Sequence, residues 1–504
     1  MSEFQFGTFI NNVLNVDLNN LYMYTENRTA VLPQLPTSAC HESGCEHCVV
    51  PRNNVHFNYQ GGDIILAGLF DIHAVGSEAF TCGSLKANHA LNAAAFKYAL
   101  RNVKTVFPDI LRGIELGSLI VDLCDSAEKG RLLMNNLLAQ QGLVTDMYGR
   151  VVFGNQVSGV VGELDSSEAM SMAALLGQYE MPYIESSATS VQLTNSERFP
   201  TFSRSLPSDR HQMVAIVRIL KRMGWSYVQV VYSDNSYGRL GYQILREEAA
   251  KQGICVAVGH ELNGDHDSIV RSFNQKPQAR IVIGIADTHD FRAMLEAMKA
   301  QNLNDQFILI GTETWGRHPS VTTGLESVAE GSITMEAEGP AISDFETWLN
   351  SVRPNDPNTM RDMPFFTEWY QYAFSCYLDA RNRDVYTTQC NPNLQISQAP
   401  RKTNSNYVPF LISSTYAMAR AIDRTLRDVC GSNYDGLCWQ FRSQTNVKQK
   451  ILEHLKDSEF NFNSYPFKMA DYEGQANYKV FSYTGGQYIQ VLECCLKISC
   501  SIAI

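Results

Sequence analysis

Short apolar runs alternate with longer amphipathic segments over residues 61–311, and this alternation constrains the fold more than any other feature. The first run, residues 63–70, is apolar at nearly every position, which is typical of a parallel strand buried on both faces. Chains that alternate in this way form parallel sheets with helices on both faces. The sequence therefore predicts an α/β fold of doubly wound parallel sheets, which bind ligands at the carboxyl ends of their strands.

The remaining segments extend this prediction. Further strands are expected at 116–122, at 157–161 and around Val230, Val256, Ile283 and Ile308. After residue 340 the alternation stops, and the pattern predicts a helical stretch at 342–380, a loop at 381–404, helices at 409–430 and 445–455, and a strand-rich end.

Length and charge narrow the class of protein. A chain of 504 residues exceeds a single core, so two or three domains are expected. The formal charge of -11 argues against a nucleic-acid partner, because binding phosphates requires a basic surface. No run of 18 apolar residues and no signal-peptide pattern is found, yet 13 cysteines suggest secretion. We interpret the sequence as a fragment, or as one that lacks its first exon.

The N-terminal region contains a cysteine and histidine cluster between Cys40 and Cys48, with Cys45 between them. Three thiols and two imidazoles within nine residues suit zinc, but no second ligand pair follows, and a disulfide-rich extracellular edge is the favoured interpretation. We therefore expect no metal and no cofactor. Asn27 begins an N-glycosylation sequon, Asn-Arg-Thr.

A hydroxyl-rich segment follows the apolar residues 181–184 and suggests a ligand site. Its small polar side chains are those of Ser186, Ser187, Thr189 and Ser190. Asp209 follows at a predicted helix start, and Tyr237 lies at the start of the next helix. A free α-amino acid requires hydroxyls that bind its carboxylate, a carboxylate that binds its ammonium, and an aromatic side chain that covers it. Taken singly, each residue is equally consistent with a helix cap.

Taken in order, these motifs resemble those of a known family. The runs S-A-T-S at 187–190, R-x-x-P-S-D at 204–209, W-x-Y-V at 225–228 and Y-G at 237–238 are similar to the extracellular ligand-binding module of metabotropic glutamate receptors and other class C G-protein-coupled receptors. The resemblance spans about 61–489. It implies a bilobed clamshell of two doubly wound parallel-sheet lobes, the periplasmic-binding-protein type I fold, with three crossings between lobes.

The resemblance also implies domain boundaries. Residues 1–60 would form a cysteine-containing N-terminal extension, and residues 491–504 a truncated cysteine-containing tail. Lobe one would comprise 61–206 and 340–465, and lobe two 207–339 and 466–490.

Individual residues then acquire expected roles from the family pattern. Ser166, Ser187 and Thr189 would bind the α-carboxylate, with Thr189 also touching the ammonium. Asp209 would pair with the ammonium from lobe two, and Tyr237 would cover the ligand. Glu313 stands in G-T-E-T-W, where relatives carry Asp. A plain helix cap is the alternative for Ser166.

The side-chain end of the site departs from the family pattern. Relatives that bind glutamate use an Arg and an aromatic residue where this chain has Ala93 and His89. The remaining distal cation would be Arg442, for which a solvated surface charge is the alternative. Asp287 and His318 are further candidates for the distal wall. An α-amino acid ligand is therefore expected, without commitment to glutamate.

Cysteine positions also follow the family. The resemblance implies three disulfides, pairing Cys82 with Cys124, Cys376 with Cys390, and Cys430 with Cys438. Cys255 falls in an apolar strand and is expected to be a free buried thiol. The loop at 146–158, where relatives place a bridging cysteine, has none, so no covalent dimer is expected through it.

These expectations describe an extracellular amino-acid-binding module at the plasma membrane, dimerising through lobe one and signalling to a heterotrimeric G protein through a seven-helix domain outside this chain. The alternatives are a dimerising receptor module that has lost its ligand, and a soluble periplasmic-type binding protein. An enzyme is not expected, because the chain lacks the G-x-S-x-G, H-E-x-x-H, P-loop and G-x-G-x-x-G motifs.

Overall fold

The computed structural model describes residues 57–78, 80–139, 144–146, 151–378, 385–401, 405–494 and 500–502. The predicted glycosylation site at Asn27 and the cysteines Cys40, Cys45 and Cys48 lie outside these ranges, so their roles stay predictions.

The described strands belong to two large sheets and two short ribbons. In chain order they are β1 (Phe57–Gln60), β2 (Ile64–Phe70), β3 (His73–Val75), β4 (Cys82–Leu85), β5 (Leu116–Asp122), β6 (Val144–Thr145), β7 (Val151–Val152), β8 (Val157–Glu163), β9 (Tyr183–Glu185), β10 (Phe202–Arg204), β11 (Tyr227–Ser233), β12 (Cys255–Leu262), β13 (Ile281–Ile285), β14 (Ile308–Gly311), β15 (Ile333–Ala337), β16 (Glu459–Phe462), β17 (Tyr465–Ala470), β18 (Glu473–Gly474), β19 (Tyr478–Thr484), β20 (Gln487–Cys494) and β21 (Cys500–Ile502).

The described α-helices cover the sheets and connect the strands. In chain order they are α1 (Ala87–Val106), α2 (Ala127–Leu138), α3 (Ser166–Gln178), α4 (Asp209–Met223), α5 (Ser236–Lys251), α6 (His266–Phe273), α7 (Thr288–Ala300), α8 (Pro319–Thr322), α9 (Glu326–Ala329), α10 (Ser343–Ser351), α11 (Pro357–Asp362), α12 (Pro364–Phe374), α13 (Val408–Cys430), α14 (Trp439–Ser443) and α15 (Val447–Lys456). Within the described ranges, none of them combines the length and apolar character that crossing a bilayer requires.

Both sheets have parallel centres and antiparallel edges. The first has the order β1-β5-β2-β8-β9-β10-β18-β17-β16, parallel from β5 to β18. The second has the order β12-β11-β13-β14-β15-β19-β20-β21, parallel from β12 to β15. This confirms the predicted class of two doubly wound α/β lobes.

Strand β2 shows why the continuous apolar run specifies a central strand. All seven of its residues are buried. Alternate side chains point to opposite faces, so Ile64 and Leu66 enter one core while Ile65 and Ala67 enter the other. Each fully buried aliphatic side chain contributes about 1.5–3 kcal/mol. A strand that alternated polar and apolar residues would leave one of these cores incomplete.

The chain passes between the sheets three times, as predicted, but the strand pairing shifts several boundaries. Residues 57–60, predicted as part of the extension, form β1 and pair with β5 in the first sheet. Strands β17 and β18 also belong to the first sheet, so the last crossing falls between Gly474 and Tyr478 rather than at 466. Residues 491–494, predicted as tail, continue β20.

The predicted helical stretch at 342–380 is three helices, because proline starts two of them. Pro357 and Pro364 occupy the first positions of α11 and α12, where the missing N–H costs no hydrogen bond. Helix α12 ends at Ser375, whose φ of 51° places it in the left-handed region.

The cysteine predictions have mixed outcomes. All three disulfides are confirmed, with sequence separations of 42, 14 and 8 residues. The prediction for Cys255 is wrong, because this free thiol is exposed. It begins β12, an edge strand of the second sheet, and the next six residues of that strand are only partly buried. Apolar composition alone did not distinguish an edge strand from a central one.

Candidate ligand-binding site

A cleft of about 710 Å³ lies beyond the carboxyl ends of strands from both sheets. The first sheet contributes Asp71 after β2, residues 163–167 at the end of β8, and Ser187 and Thr189 after β9. The second contributes Tyr237 after β11, residues 287–289 after β13, and Glu313 after β14. The cleft is therefore at the place that doubly wound sheets favour for ligands.

The structure brings together most of the predicted site residues but not all of them. Those that line the cleft are Ser166, Ser187, Thr189, Tyr237 and Glu313, together with His89, Asp287 and His318. Asp209 is only 1% exposed and lies behind Thr189, whose carbonyl accepts its N–H at 2.9 Å. Arg442 is exposed on α14 and is not among the lining residues, so the surface-charge alternative describes it. Ala93 is buried in a core of the first sheet.

Adjacent residues in the turn from β8 to α3 make different hydrogen bonds. Asp165 is the N-cap of α3 and accepts the N–H groups of Ser167 and Glu168 at 2.7 and 2.9 Å. Ser166 is the first helical residue, and its hydroxyl accepts the N–H of Ser190 at 3.2 Å. Ser166 is therefore not the cap, and it lies at the positive end of a helix, which favours anions.

Hydroxyls after β9 hold this turn in place. The Ser186 hydroxyl donates to the carbonyl of Gly162 at 2.7 Å, and the Ser187 hydroxyl donates to that of Leu164 at 2.8 Å. Buried Glu185, which sequence reasoning missed, accepts the N–H groups of Leu164 and Ser186 at 3.2 and 2.8 Å. Burial raises the pKa of Glu185 to about 8. The two loops form one hydrogen-bonded unit beside the cleft.

Two acids near the cleft floor form no ion pair among the described residues, although the charge of Arg204 acts on one of them, Asp209. Neither carboxylate oxygen of Asp209 has a hydrogen-bond partner within the described chain. Glu313 is 6% exposed, and its Oε1 lies 3.5 Å from the Thr189 hydroxyl. Burial raises the pKa of Asp209 to about 6, and burial together with the Asp209 charge raises that of Glu313 to about 8. A bound cation would relieve both costs.

Two tyrosines complete the floor. The Tyr237 hydroxyl is buried and has no hydrogen-bond partner among the described residues. Tyr407, which sequence reasoning missed, is the N-cap of α13 and lines the same cleft. Burial raises its pKa, and the carboxylates of Glu313, Glu163, Asp209 and Asp287 raise it further. Its position just before the Pro-containing start of a predicted helix was the feature of the sequence that could have identified it.

The cleft residues, together with Asp209 behind them, divide into two groups that differ in burial and in charge pairing. We call the first the inner group: Ser166, Ser187, Thr189, Asp209, Tyr237 and Glu313. We call the second, in which only Glu163 is fully buried, the rim group: Lys86, His89, Asp125, Glu163, Asp165 and Asp287.

Charges in the rim group are largely paired. Lys86 Nζ lies 3.0 Å from Asp125 Oδ1, and His89 Nδ1 lies 2.7 Å from Glu163 Oε2. Burial opposes a charge on His89, but the carboxylate of Glu163 outweighs it, and the pKa of His89 is raised. The Asp287 carboxylate accepts a hydrogen bond from Asn235 at 2.7 Å.

Three groups among the described residues have metal-ligand geometry, and one of them, Asp287, His289 and Asp290, lines the cleft through Asp287 and His289. Oxygens of Asp71, Asp125 and Glu168 lie within 4.8 Å of one another. Burial, and then a hydrogen bond with Asp71, raise the pKa of Glu168 to about 12, so it is protonated, and Lys86 pairs with Asp125. His73 and Asp122 lie near Cys82 and Cys124, whose sulfurs form a disulfide and not thiolate ligands.

The two lobes and the cleft between them define a bilobed ligand-binding protein of the periplasmic-binding-protein type I class. Residues 91–486 match the family model described as "Receptor family ligand binding region". The chain belongs to this family, and specifically to its class C G-protein-coupled receptor branch, similar to metabotropic glutamate receptors. It is thus a receptor ligand-binding region and not an enzyme.

Curated relatives support this assignment. The chain is 30% identical over 451 residues to "Metabotropic glutamate receptor" of Drosophila melanogaster, covering 83% of this chain and 45% of the relative. It is 29% identical over 442 residues to "Metabotropic glutamate receptor 8" of Homo sapiens, covering 84% and 48%. It is 30% identical over 448 residues to "Metabotropic glutamate receptor 4" of Macaca fascicularis, covering 85% of this chain and 47% of the relative. The chain spans about half the length of these relatives.

Proposed function

We propose that this chain is the extracellular module of a metabotropic glutamate receptor-like receptor and that its cleft binds a free α-amino acid. The observation that carries the proposal is the buried acid pair, Asp209 and Glu313, beside the unpartnered hydroxyl of Tyr237. A buried charge without a partner is costly, and the α-ammonium of a ligand would supply the partner.

The other side of the inner group suits the α-carboxylate. Ser166 stands at the first turn of α3, whose N–H groups and dipole favour an anion. Ser187 and Thr189 place two further hydroxyls at the same cleft. A helix end that favours anions and a buried acid pair, of which Glu313 lines the cleft and Asp209 lies behind it, match the two charges that every free α-amino acid carries.

Such a ligand would bridge the two lobes. Ser166, Ser187 and Thr189 follow strands of the first sheet, whereas Tyr237 and Glu313 follow strands of the second. We propose that binding draws the lobes together and that this closure is the signal. On the same proposal the receptor lies at the plasma membrane, dimerises through lobe one and acts on a heterotrimeric G protein through a seven-helix domain outside this chain.

The test is isothermal calorimetry of the secreted 504-residue chain with the twenty amino acids at neutral pH. We expect at least one to bind, and Thr189→Ala and Asp209→Asn each to weaken it, by about 1.5–3 kcal/mol for a lost charged hydrogen bond. Asp471→Asn is the matched control, because its side chain is 91% exposed and outside the cleft. Failure of every amino acid to bind a well-folded chain would contradict the proposal and favour a module that dimerises without ligand.

A further inference from the structure

Beyond the inner group, the cleft has more carboxylates than available cations. The Lys and Arg side chains that line it, and the histidines His89 and His289, already have acidic partners, His289 lying 3.3 Å from Asp290. Lys86 pairs with Asp125 at 3.0 Å, and His89 pairs with Glu163 at 2.7 Å. Arg292 pairs with Glu296 at 2.9 Å and donates to the carbonyl of Ser320 at 2.8 Å.

Two carboxylates of the rim group remain without a Lys or Arg partner. In the part of the chain that the structure describes, no ion pair with either residue type reaches Asp165 or Asp287. Asp165 stands at the end of β8 in the first lobe, and Asp287 follows β13 in the second. Both line the cleft, and the charges of Asp290 and Asp165 act on Asp287 against the opposite effect of His289.

A second observation shows that this cavity is built for a ligand. The Tyr237 hydroxyl lines the same cleft, in a side chain only 7% exposed, and has no hydrogen-bond partner among the described residues. Tyr407 lines the same cleft, and, besides burial, carboxylates of both the inner group and the rim group raise the pKa of its hydroxyl. The negative potential therefore continues from the inner group towards the rim.

We propose that the ligand carries a second positive charge on its side chain, an ammonium or a guanidinium, which binds between Asp165 and Asp287. This inference rests on the proposed function, because the inner group would hold the α-amino and α-carboxylate groups. A carboxylate side chain would instead meet two carboxylates that no Lys or Arg neutralises. A ligand paired with both aspartates would also join the two lobes at the rim, in addition to the inner contacts.

The test compares ligands of similar size that differ in charge. Calorimetry of the 504-residue chain would use arginine against citrulline, lysine against norleucine, and glutamate as the anionic probe. We expect the cationic member of at least one pair to bind about 10- to 100-fold more tightly than its neutral partner, the range that charged hydrogen bonds produce. Glutamate should bind more weakly than either.

Variants then assign the charge preference to its residues. Asp165→Asn preserves a side chain that caps a helix, and Asp287→Asn replaces one that makes no capping hydrogen bond, so folding should be retained. Together they should reduce the ratio between arginine and citrulline, or between lysine and norleucine, to about one, whereas Asp471→Asn should leave it unchanged. Thermal unfolding of each variant verifies that it is folded.

The outcomes separate this inference from the proposed function. If citrulline, norleucine or glutamate binds as tightly as the cationic ligands, the cationic side chain is wrong, while the α-amino acid site stands. A charge preference that survives the double variant would overturn the roles of Asp165 and Asp287. If no amino acid binds, the proposed function fails and this inference fails with it. The ligand comparison needs only the unmodified protein, so it decides even if a variant misfolds.

Discussion

The inner group and the rim group of the cleft share one cavity but handle charge in opposite ways. In the inner group, Asp209 and Glu313 are buried and form no ion pair among the described residues, and their pKa values are raised to about 6 and about 8 although the charge of Arg204 lowers that of Asp209. In the rim group, Lys86 and His89 each lie against a carboxylate. The difference teaches where selectivity arises: unpaired buried acids require a cationic group of the ligand, whereas paired and more exposed charges tune which side chain is accepted.

Removing the disulfide beside the rim should have the largest effect. Cys82 precedes Lys86 by four residues, and Cys124 is adjacent to Asp125, so this bond holds both partners of a rim ion pair. We expect Cys82→Ser with Cys124→Ser to lower the free energy of unfolding by about 4 kcal/mol, the loop-closure value for its separation of 42 residues. Denaturant unfolding measures this.

A second disulfide provides the matched comparison. Cys430→Ser with Cys438→Ser opens a separation of 8 residues, outside the cleft lining, and should cost about 2.5 kcal/mol. Selectivity among ligand side chains should change only in the first variant. Equal changes in selectivity for both variants would show that the rim does not depend on the Cys82–Cys124 bond.

A double-mutant cycle would test whether the inner acids act as a pair. Asp209→Asn, Glu313→Gln and the double variant should show non-additive losses of ligand affinity, because both carboxylates would face one ammonium. We expect a coupling energy of about 0.5–3 kcal/mol by calorimetry. The same cycle with Asp209→Asn and Glu459→Gln should be additive, since Glu459 pairs with Lys468 on an exposed edge of the first sheet. If the losses of ligand affinity at Asp209 and Glu313 are additive, the two acids do not bind one ammonium together.

The pH dependence of stability would distinguish the groups without a ligand. Because the pKa of Glu313 rises from 4.5 to about 8, the folded state holds a proton that the unfolded state releases. The free energy of unfolding should therefore fall as pH rises between about 4.5 and 8, by at most about 1.4 kcal/mol per pH unit from this residue. Glu313→Gln should remove that part of the slope, as measured by denaturant unfolding at several pH values.

Other groups also lower the free energy of unfolding as pH rises, and Glu313→Gln and the unmodified chain share these groups. Only the difference in slope between the two proteins therefore reports on Glu313. The pKa of Glu185 is raised to about 8 and that of His73 to about 9. Exposed Glu459→Gln should leave the slope of the unmodified protein intact. If the free energy of unfolding had the same slope against pH in Glu313→Gln and in the unmodified chain, Glu313 would be ionised throughout this pH range. It would then need no ligand cation.

Arg442→Ala should have the smallest effect. The side chain is exposed and does not line the cleft, so ligand affinity should change by less than about 0.5 kcal/mol. Lys86→Ala is the useful contrast, because Lys86 lines the cleft and pairs with Asp125. A large loss of affinity in Arg442→Ala would restore it as the distal cation and contradict the cationic ligand that we propose.

The predictions from sequence succeeded where local pattern and physics coincide. A fully apolar run can only be a strand covered on both faces, and β2 is one. The acid at Asp209 was identified from its order along the chain, and the structure places it beside Glu313, more than a hundred residues later. Predictions failed where the answer depends on distant neighbours. The exposure of Cys255 follows from β12 being an edge strand, and the pairing of β17 with the first sheet follows from long-range packing.

The sequence by itself determined the α/β class, because strand and helix periodicity depends on residue type and order along the chain. The family resemblance of its motifs implied the three disulfide pairs and the predicted hydroxyls and acids of the inner group. Only the tertiary structure excluded Arg442 from the cleft, brought in Tyr407, and placed Asp165 and Asp287 in one cleft. The physical reason is that a cleft between two lobes combines strand ends that are remote in sequence. The net charge of the cleft is the sum of the charges at those strand ends, so no single local motif predicts it.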